Sequence, residues 1–223
     1  MDAVFLYNED LENKVVKIKR LLHLSMNGVV SESMSSLGYK LNYGVQLPRL
    51  KELARELETD FPLAQRLWFS DCREMMILAT LLCPLESLTE TEVLKWVERC
   101  HNMEMVEQLS INLLSKWNGA NTLCVNLLAD ENEYAKALAY VLSSVLFRRG
   151  VLSEEALGAC RKAMTVDVYS SSHAVYSSVA RLLRVWAVEG ERAFVESFLQ
   201  GVDTASGYGA AWVKDNVSTV LMY

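Results

Sequence analysis

Glu104 and Glu107 stand three residues apart in the stretch HNMEMVEQLS, residues 101–110. Side chains at that spacing share one side of a helix. A carboxylate held at a site can do chemistry there by stabilising positive charge as it develops. The same pair also suits the wet side of an amphipathic helix, where acids in the first turn complement the helix dipole. Residue types alone leave both roles open. Further on, Arg181 and Arg184 share a helical face and can touch phosphates, or Arg184 can pair with Glu191. Arg148 and Arg149 precede Gly150, where cations favour a helix C-terminus.

Other chemistries find no support. The chain lacks a G-x-x-x-x-G-K-[ST] or G-x-G-x-x-G phosphate loop, an H-E-x-x-H zinc motif and a G-x-S-x-G elbow. Ser170-Ser171-Ser172-His173 reads as a capped helix start, because sequence neighbours do not face each other on a helix. Tyr169, His173 and Tyr176 fall on one helical face and read as core or groove lining. The five cysteines (Cys72, Cys83, Cys100, Cys124, Cys160) are odd in number and hold no C-x-x-C. Each falls in an apolar helical stretch, so buried free thiols in a reducing cytoplasm are expected. Three histidines, none beside a cysteine pair, imply no metal site.

The elements that must position these residues are helices. All three prolines (Pro48, Pro62, Pro84) lie in the first 84 residues, which favours long helices afterwards. Apolar residues recur at three and four throughout. Asn8 caps a first stripe through Val15, Ile18, Leu22 and Met26, which Asn27-Gly28 is expected to stop. Pro48 and Pro62 open two more helices. Asp71 with Glu74, and Thr89 with Glu92, look like capping boxes. His101 to Trp117 reads as one helix. Ser153 caps EEALGACRKAM, Gly190 and Gly201 end the next two helices, and a last helix spans Ala210 to Leu221.

About a dozen helices in pairs of roughly 35–45 residues match the period of HEAT and armadillo repeats. The expected fold is all-α, a right-handed α-α superhelix in a single domain over residues 1–223. A globular orthogonal bundle is the competing fold. No signal peptide is expected, because Met1–Tyr7 lacks a charged start and a small-residue cleavage site, and no membrane span is expected, because no run of 18 apolar residues occurs. The net charge of −6 disfavours tight nonspecific nucleic-acid binding. Yet Tyr134 to Gln200 holds eight basic residues against six acidic ones, an excess of two positive charges.

Two stretches carry a family resemblance. YGVQLPRLKELAREL (Tyr43–Leu57) resembles the early G-V/I-x-x-P segment of the DNA alkylation repair enzyme family, the AlkD-like HEAT-repeat DNA glycosylases. LAQRLWFSDCREMMILATLL (Leu63–Leu82) is similar to that family's next helix pair, with Leu67-Trp68 and Arg73-Glu74 at the matching places. The resemblance runs, more weakly, to about Asp203. It implies duplex DNA on a concave face and hydrolytic release of N3- or N7-alkylated purines, with no metal or organic cofactor. The family's W-D-x-V-D segment falls on Met103-Glu104-Met105-Val106-Glu107. Glu107 then corresponds to the catalytic aspartate, Glu104 to the first acid and Met103 to the tryptophan. A late family tryptophan falls near Arg181, and a family arginine that approaches DNA falls near Lys136.

This chain departs from that pattern: the acid gains a methylene and both aromatic positions are lost. A carboxylate displaced by about 1 Å can lose roughly a hundredfold in rate. The expected protein is therefore a cytoplasmic, monomeric, DNA-binding relative. Glu107 is its candidate catalytic residue, with Met103, Glu104, Lys136, Arg148, Arg181 and Arg184 against DNA. A noncatalytic helical scaffold for DNA or a protein partner is the alternative. A positive groove around Glu107 favours DNA; an acidic or apolar one favours a protein.

Overall fold

The computed structural model describes residues 8–34, 38–39 and 41–222. The chain divides into two compact units, Met1–Trp96 and Val97–Tyr223. Among the described residues there are thirteen α-helices and no strand, apart from a single bridge between Leu41 and Cys72. None of these helices is long and apolar enough to cross a membrane.

The first unit holds α1 (Glu9–Leu24), α2 (Gly28–Met34), α3 (Leu47–Arg55), α4 (Phe61–Trp68) and α5 (Arg73–Leu82). The division falls inside α6 (Glu90–Val97). Asn8 caps α1 by accepting from Leu11 N, and Asp60 caps α4 by accepting from Leu63 N. Pro48 and Pro62 sit in the first turns of α3 and α4, where the missing N–H costs nothing. Thr89 Oγ1 accepts from Glu92 N at 3.2 Å, as its capping pattern predicts.

Two expectations need correcting. Asn27-Gly28 does not stop α1, which ends at Leu24; Asn27 Oδ1 accepts from Val30 N and so starts α2. Asp71 does not cap α5 either. Its backbone lies at φ 55°, and Cys72 stands at the cap position without a side-chain capping bond. The reason is Glu74, which is fully buried and turns away from the helix start. Its carboxylate accepts from Tyr43 N at 2.9 Å, Val45 N at 3.1 Å and Arg73 Nη1 at 3.0 Å. Arg73, 1% exposed, also donates to the Val45 carbonyl at 2.9 Å. The pair thus clamps the Tyr43–Val45 turn.

Gly44 is the residue that turn requires. Its φ is 67°, and a Cβ there would lie 2.2 Å from the Asn27 carbonyl oxygen. In the same unit, Trp68 stacks on Trp96 with ring centres 4.8 Å apart, and the Trp96 indole donates to Gln65 Oε1 at 3.0 Å.

The second unit holds α7 (Met103–Gln108), α8 (Ala120–Leu127), α9 (Glu133–Arg148), α10 (Glu154–Asp167), α11 (His173–Glu189), α12 (Arg192–Gly201) and α13 (Tyr208–Leu221). The expected single helix from His101 to Trp117 is three geometries in series. After α7 the backbone widens to a π-helix at Leu109–Leu113 and tightens to a 3-10 turn at Leu114–Lys116. Ser115 Oγ and Lys116 Nζ donate to the Ile111 and Asn112 carbonyls in that stretch. Single π turns of this kind occur often at functional sites.

The centre of this unit is α9. Leu138, Tyr140, Val141 and Leu142 are fully buried, and so are Ala137, Ala139 and Ser143 between them. It packs on α7, α8, α10 and α11, and α11 packs in turn on α13. Helices whose ends were legible behave as their residues dictate. Ser153 caps α10, Ser172 caps α11, and Gly150 at φ 66° and Gly190 at φ 138° follow α9 and α11; the structure adds Asn132 as the cap of α9.

None of the five cysteines is in a disulfide, and all five are buried. Burial pushes the Cys72 and Cys160 thiols up to about 11 and those of Cys83, Cys100 and Cys124 up to about 12. Only the thiolate reacts. At pH 8 the native protein should therefore take up iodoacetamide roughly a hundredfold more slowly than the unfolded chain, as read by mass spectrometry; equal rates would contradict the burial. Glu74→Gln keeps the shape of the clamp and removes the buried carboxylate charge that accepts from Arg73 and from the Tyr43 and Val45 amides. It should lower unfolding free energy by about 3–5 kcal/mol, measured from the shift in the denaturant midpoint.

Candidate functional site

Four helices of the second unit line an open cavity of about 580 Å³. Its longest wall is a stripe along α11: His173, Ser177, Arg181, Arg184 and Val188, spaced by four, four, three and four. That spacing keeps the five on one helical face. Facing them, α13 presents Trp212, Asn216 and Val220, spaced by four. Met103 and Glu107 of α7 and Arg148 at the end of α9 complete the wall. Small residues on α11, Ser177, Ser178 and Ala180, leave room for the space itself.

The ends of the cavity differ in chemistry. At one end Trp212 meets the His173 ring edge-on at 5.8 Å and the Tyr176 ring at 5.3 Å. Gly209 allows α13 to start there. A Cβ at that position would lie 2.7 Å from the Ser170 carbonyl oxygen and 2.9 Å from the Tyr176 ring. Further along α11 the lining is ionic. Arg181 Nη1 donates to Glu107 Oε1 at 2.5 Å, joining α11 to α7. Their side chains are 33% and 40% exposed, so water screens the pair. Arg184 and Arg148 are exposed. Among the lining residues three guanidinium groups face one carboxylate, an excess of two positive charges.

Five of the seven positions singled out from sequence therefore meet in one place: Met103, Glu107, Arg148, Arg181 and Arg184. Glu104 is part-buried on α7 and outside the lining. Lys136 also lies elsewhere. It donates to Asp167 of α10 at 3.0 Å, and the Tyr140 hydroxyl donates to the same carboxylate at 2.7 Å. Twelve residues of α9 separate Lys136 from Arg148, about 18 Å along the axis. The pairing of Arg184 with Glu191 gives way to a different one, since Glu191 accepts from Arg161.

Sequence reading placed no role on Trp212 or Asn216. Their four-residue spacing in AWVKDNVSTV was the available signal, but it equally describes a packed helix face. Two aromatic positions were expected to be lost from the site. The structure supplies an aromatic from α13 instead, on the same cavity as Arg181. Among the described residues no cluster of three metal-binding side chains occurs.

The fold defines an all-helical protein of the HEAT-like repeat class. It is shared with a solved structure described as "a new family of proteins related to the HEAT-like repeat DNA glycosylases with affinity for branched DNA structures". The TM-score is 0.76 over 91% of this chain and 93% of the other, at 13% identity. The sequence pattern of the DNA alkylation repair enzyme family matches residues 32–204, well over half of the length, and the chain belongs to that family. No protein among curated sequences matches the chain.

Glu107 and Asp167 should respond differently to mutation. Glu107→Gln breaks a half-exposed pair and should change stability by less than about 1 kcal/mol. Asp167→Ala removes a carboxylate that is 7% exposed and strands the Tyr140 hydroxyl and Lys136, which should cost about 3–5 kcal/mol. Urea unfolding of the two variants checks the contrast.

Proposed function

We propose that this protein binds DNA in the repair of alkylation damage, with the phosphodiester backbone held at the arginines of the α7–α9–α11–α13 cavity. The observation that carries this reading is the convergence of Arg148, Arg181 and Arg184 on one cavity with a single carboxylate. Guanidinium groups match phosphate oxygens in geometry and charge. A positive lining selects a polyanion over an acidic or apolar protein surface. Family membership and the likeness to a fold whose bearer has affinity for branched DNA point the same way.

A second reading concerns chemistry, and Glu107 favours it. Its side chain lines the cavity, rather than facing away on the wet side of α7. In the reading where alkylpurines are released, this carboxylate stabilises the positive charge that develops on the deoxyribose. Here Arg181 holds it. A phosphate that takes over Arg181 would leave the Glu107 charge available to the sugar. The leaving group is a cationic base that departs readily, so no acid need protonate it.

Anisotropy titrations of labelled duplex DNA at several salt concentrations test the binding. Each phosphate contact contributes about −0.9 to the slope of log K against log salt. Arg184→Ala should weaken binding to all sequences and reduce the slope by about one. An unchanged slope for both Arg184→Ala and Arg148→Ala would move the DNA off this cavity. Release of methylated purines from alkylated duplex, compared between the wild type and Glu107→Gln, tests the chemistry. A steep drop in the variant supports the glutamate as the working acid. Absence of release from both proteins, beside an active family member, leaves a binding protein without hydrolysis.

A further inference from the structure

Resting on the DNA-binding reading, we infer that the cavity takes one unstacked nucleotide of a DNA strand, its base against Trp212 and its phosphate at Arg181 and Arg184. A volume of about 580 Å³ is in the size range of small-ligand sites. A duplex can cross the mouth with its backbone; a single nucleotide can enter. The lining is divided as a nucleotide is divided. An indole supplies a flat apolar surface at one end and two guanidinium groups supply donors further along.

The spacing fits. His173, beside Trp212, and Arg181 are eight residues apart on α11, about 12 Å along the axis. An arginine side chain reaching back along the helix shortens that span to the separation of a base from its own phosphate. Asn216 lies one turn beyond Trp212 on the same wall and offers an amide near the base edge. Its Nδ2 donates to the Trp212 carbonyl at 2.9 Å, which fixes its orientation. His173 and Tyr176 hold the indole in place, so little ordering is needed on binding. None of this wall comes from the family-matched stretch, which ends at residue 204, before α13 begins at Tyr208. The specificity for an extruded or unpaired base therefore belongs to α13.

Anisotropy with two labelled duplexes at one salt concentration tests the inference. One duplex is fully paired, and the other carries a single unpaired adenine. Stacking of a base on an aromatic side chain corresponds to about tenfold in affinity, so the wild type should prefer the unpaired site by about that factor. Trp212→Leu should abolish the preference, and Trp212→Phe should keep most of it. The readout is the ratio of the two affinities in each variant, which a general loss of DNA binding does not move. Equal affinity of the wild type for the two duplexes overturns the inference while the DNA-binding reading stands, and this comparison needs no variant. A preference that survives in a folded Trp212→Leu, checked by thermal melting, also overturns it. Failure to bind either duplex overturns both.

Discussion

Burial of α9 on almost every side is the constraint from which the second unit follows. A helix buried all round must find a partner for each face, and α7, α8, α10 and α11 supply them. Alanine and serine at 137, 139, 143 and 144 let those partners approach closely. Polar groups on such a helix must be satisfied within the protein. Tyr140 finds Asp167, and Ser144 finds the Val141 carbonyl. A helix used this way has little surface left for ligands. Near its start Lys136 is tied to Asp167, and at its end Arg148 emerges into the cavity. Function shifts to the neighbours of α9, above all to the stripe on α11.

The contact between Glu107 and Arg181 sets the electrostatic state of that stripe. At 2.5 Å, with both side chains partly in water, it fixes geometry more than it adds stability. A carboxylate so compensated is a weak stabiliser of a nearby cation, because the arginine field opposes it. The arginine, in turn, is not lost to an incoming anion. A phosphate adds a second acceptor to a group with five donors. Arg184, exposed one turn further on, is placed to share the same anion. The arrangement suits backbone binding first, with any chemistry at Glu107 conditional on where Arg181 points.

Much of this was legible in the sequence, and what was not has local causes. Helical spacing at three and four, together with Asn8, Thr89, Ser153, Ser172 and the prolines, gave helices and many of their ends, because those effects act within one turn. Asp71 and Glu74 had the spacing of a cap, yet the glutamate serves backbone donors about thirty residues earlier. No local pattern distinguishes these uses. Asn27-Gly28 failed for a related reason, since an Asx residue followed by glycine can end one helix or begin the next. In the site, the face shared by Arg181 and Arg184 was read from periodicity alone. That Glu107 would meet Arg181, 74 residues away, was not readable. It depends on how α7 and α11 both pack against α9.

Trp212 shows why a family alignment and a cavity carry different information. Position by position, the chain has a methionine at 103 and an arginine at 181 where aromatic residues were expected. A cavity does not depend on which helix supplies an indole, only on its position relative to the charges. Here α13 brings one in, and it can do so because Gly209 lets that helix start against Tyr176 and Ser170. The same glycine explains why the substitution is not a simple exchange. The ring sits beside His173 at one end of the α11 stripe, whereas an aromatic at 103 would have stood on the same helix as the Glu107 carboxylate. The acid thus keeps its place on α7 but loses its aromatic neighbour on that helix, and the apolar surface moves towards whatever occupies the other end. Such an arrangement favours recognition of an extended ligand along α11 over concentration of every group around one reacting carbon.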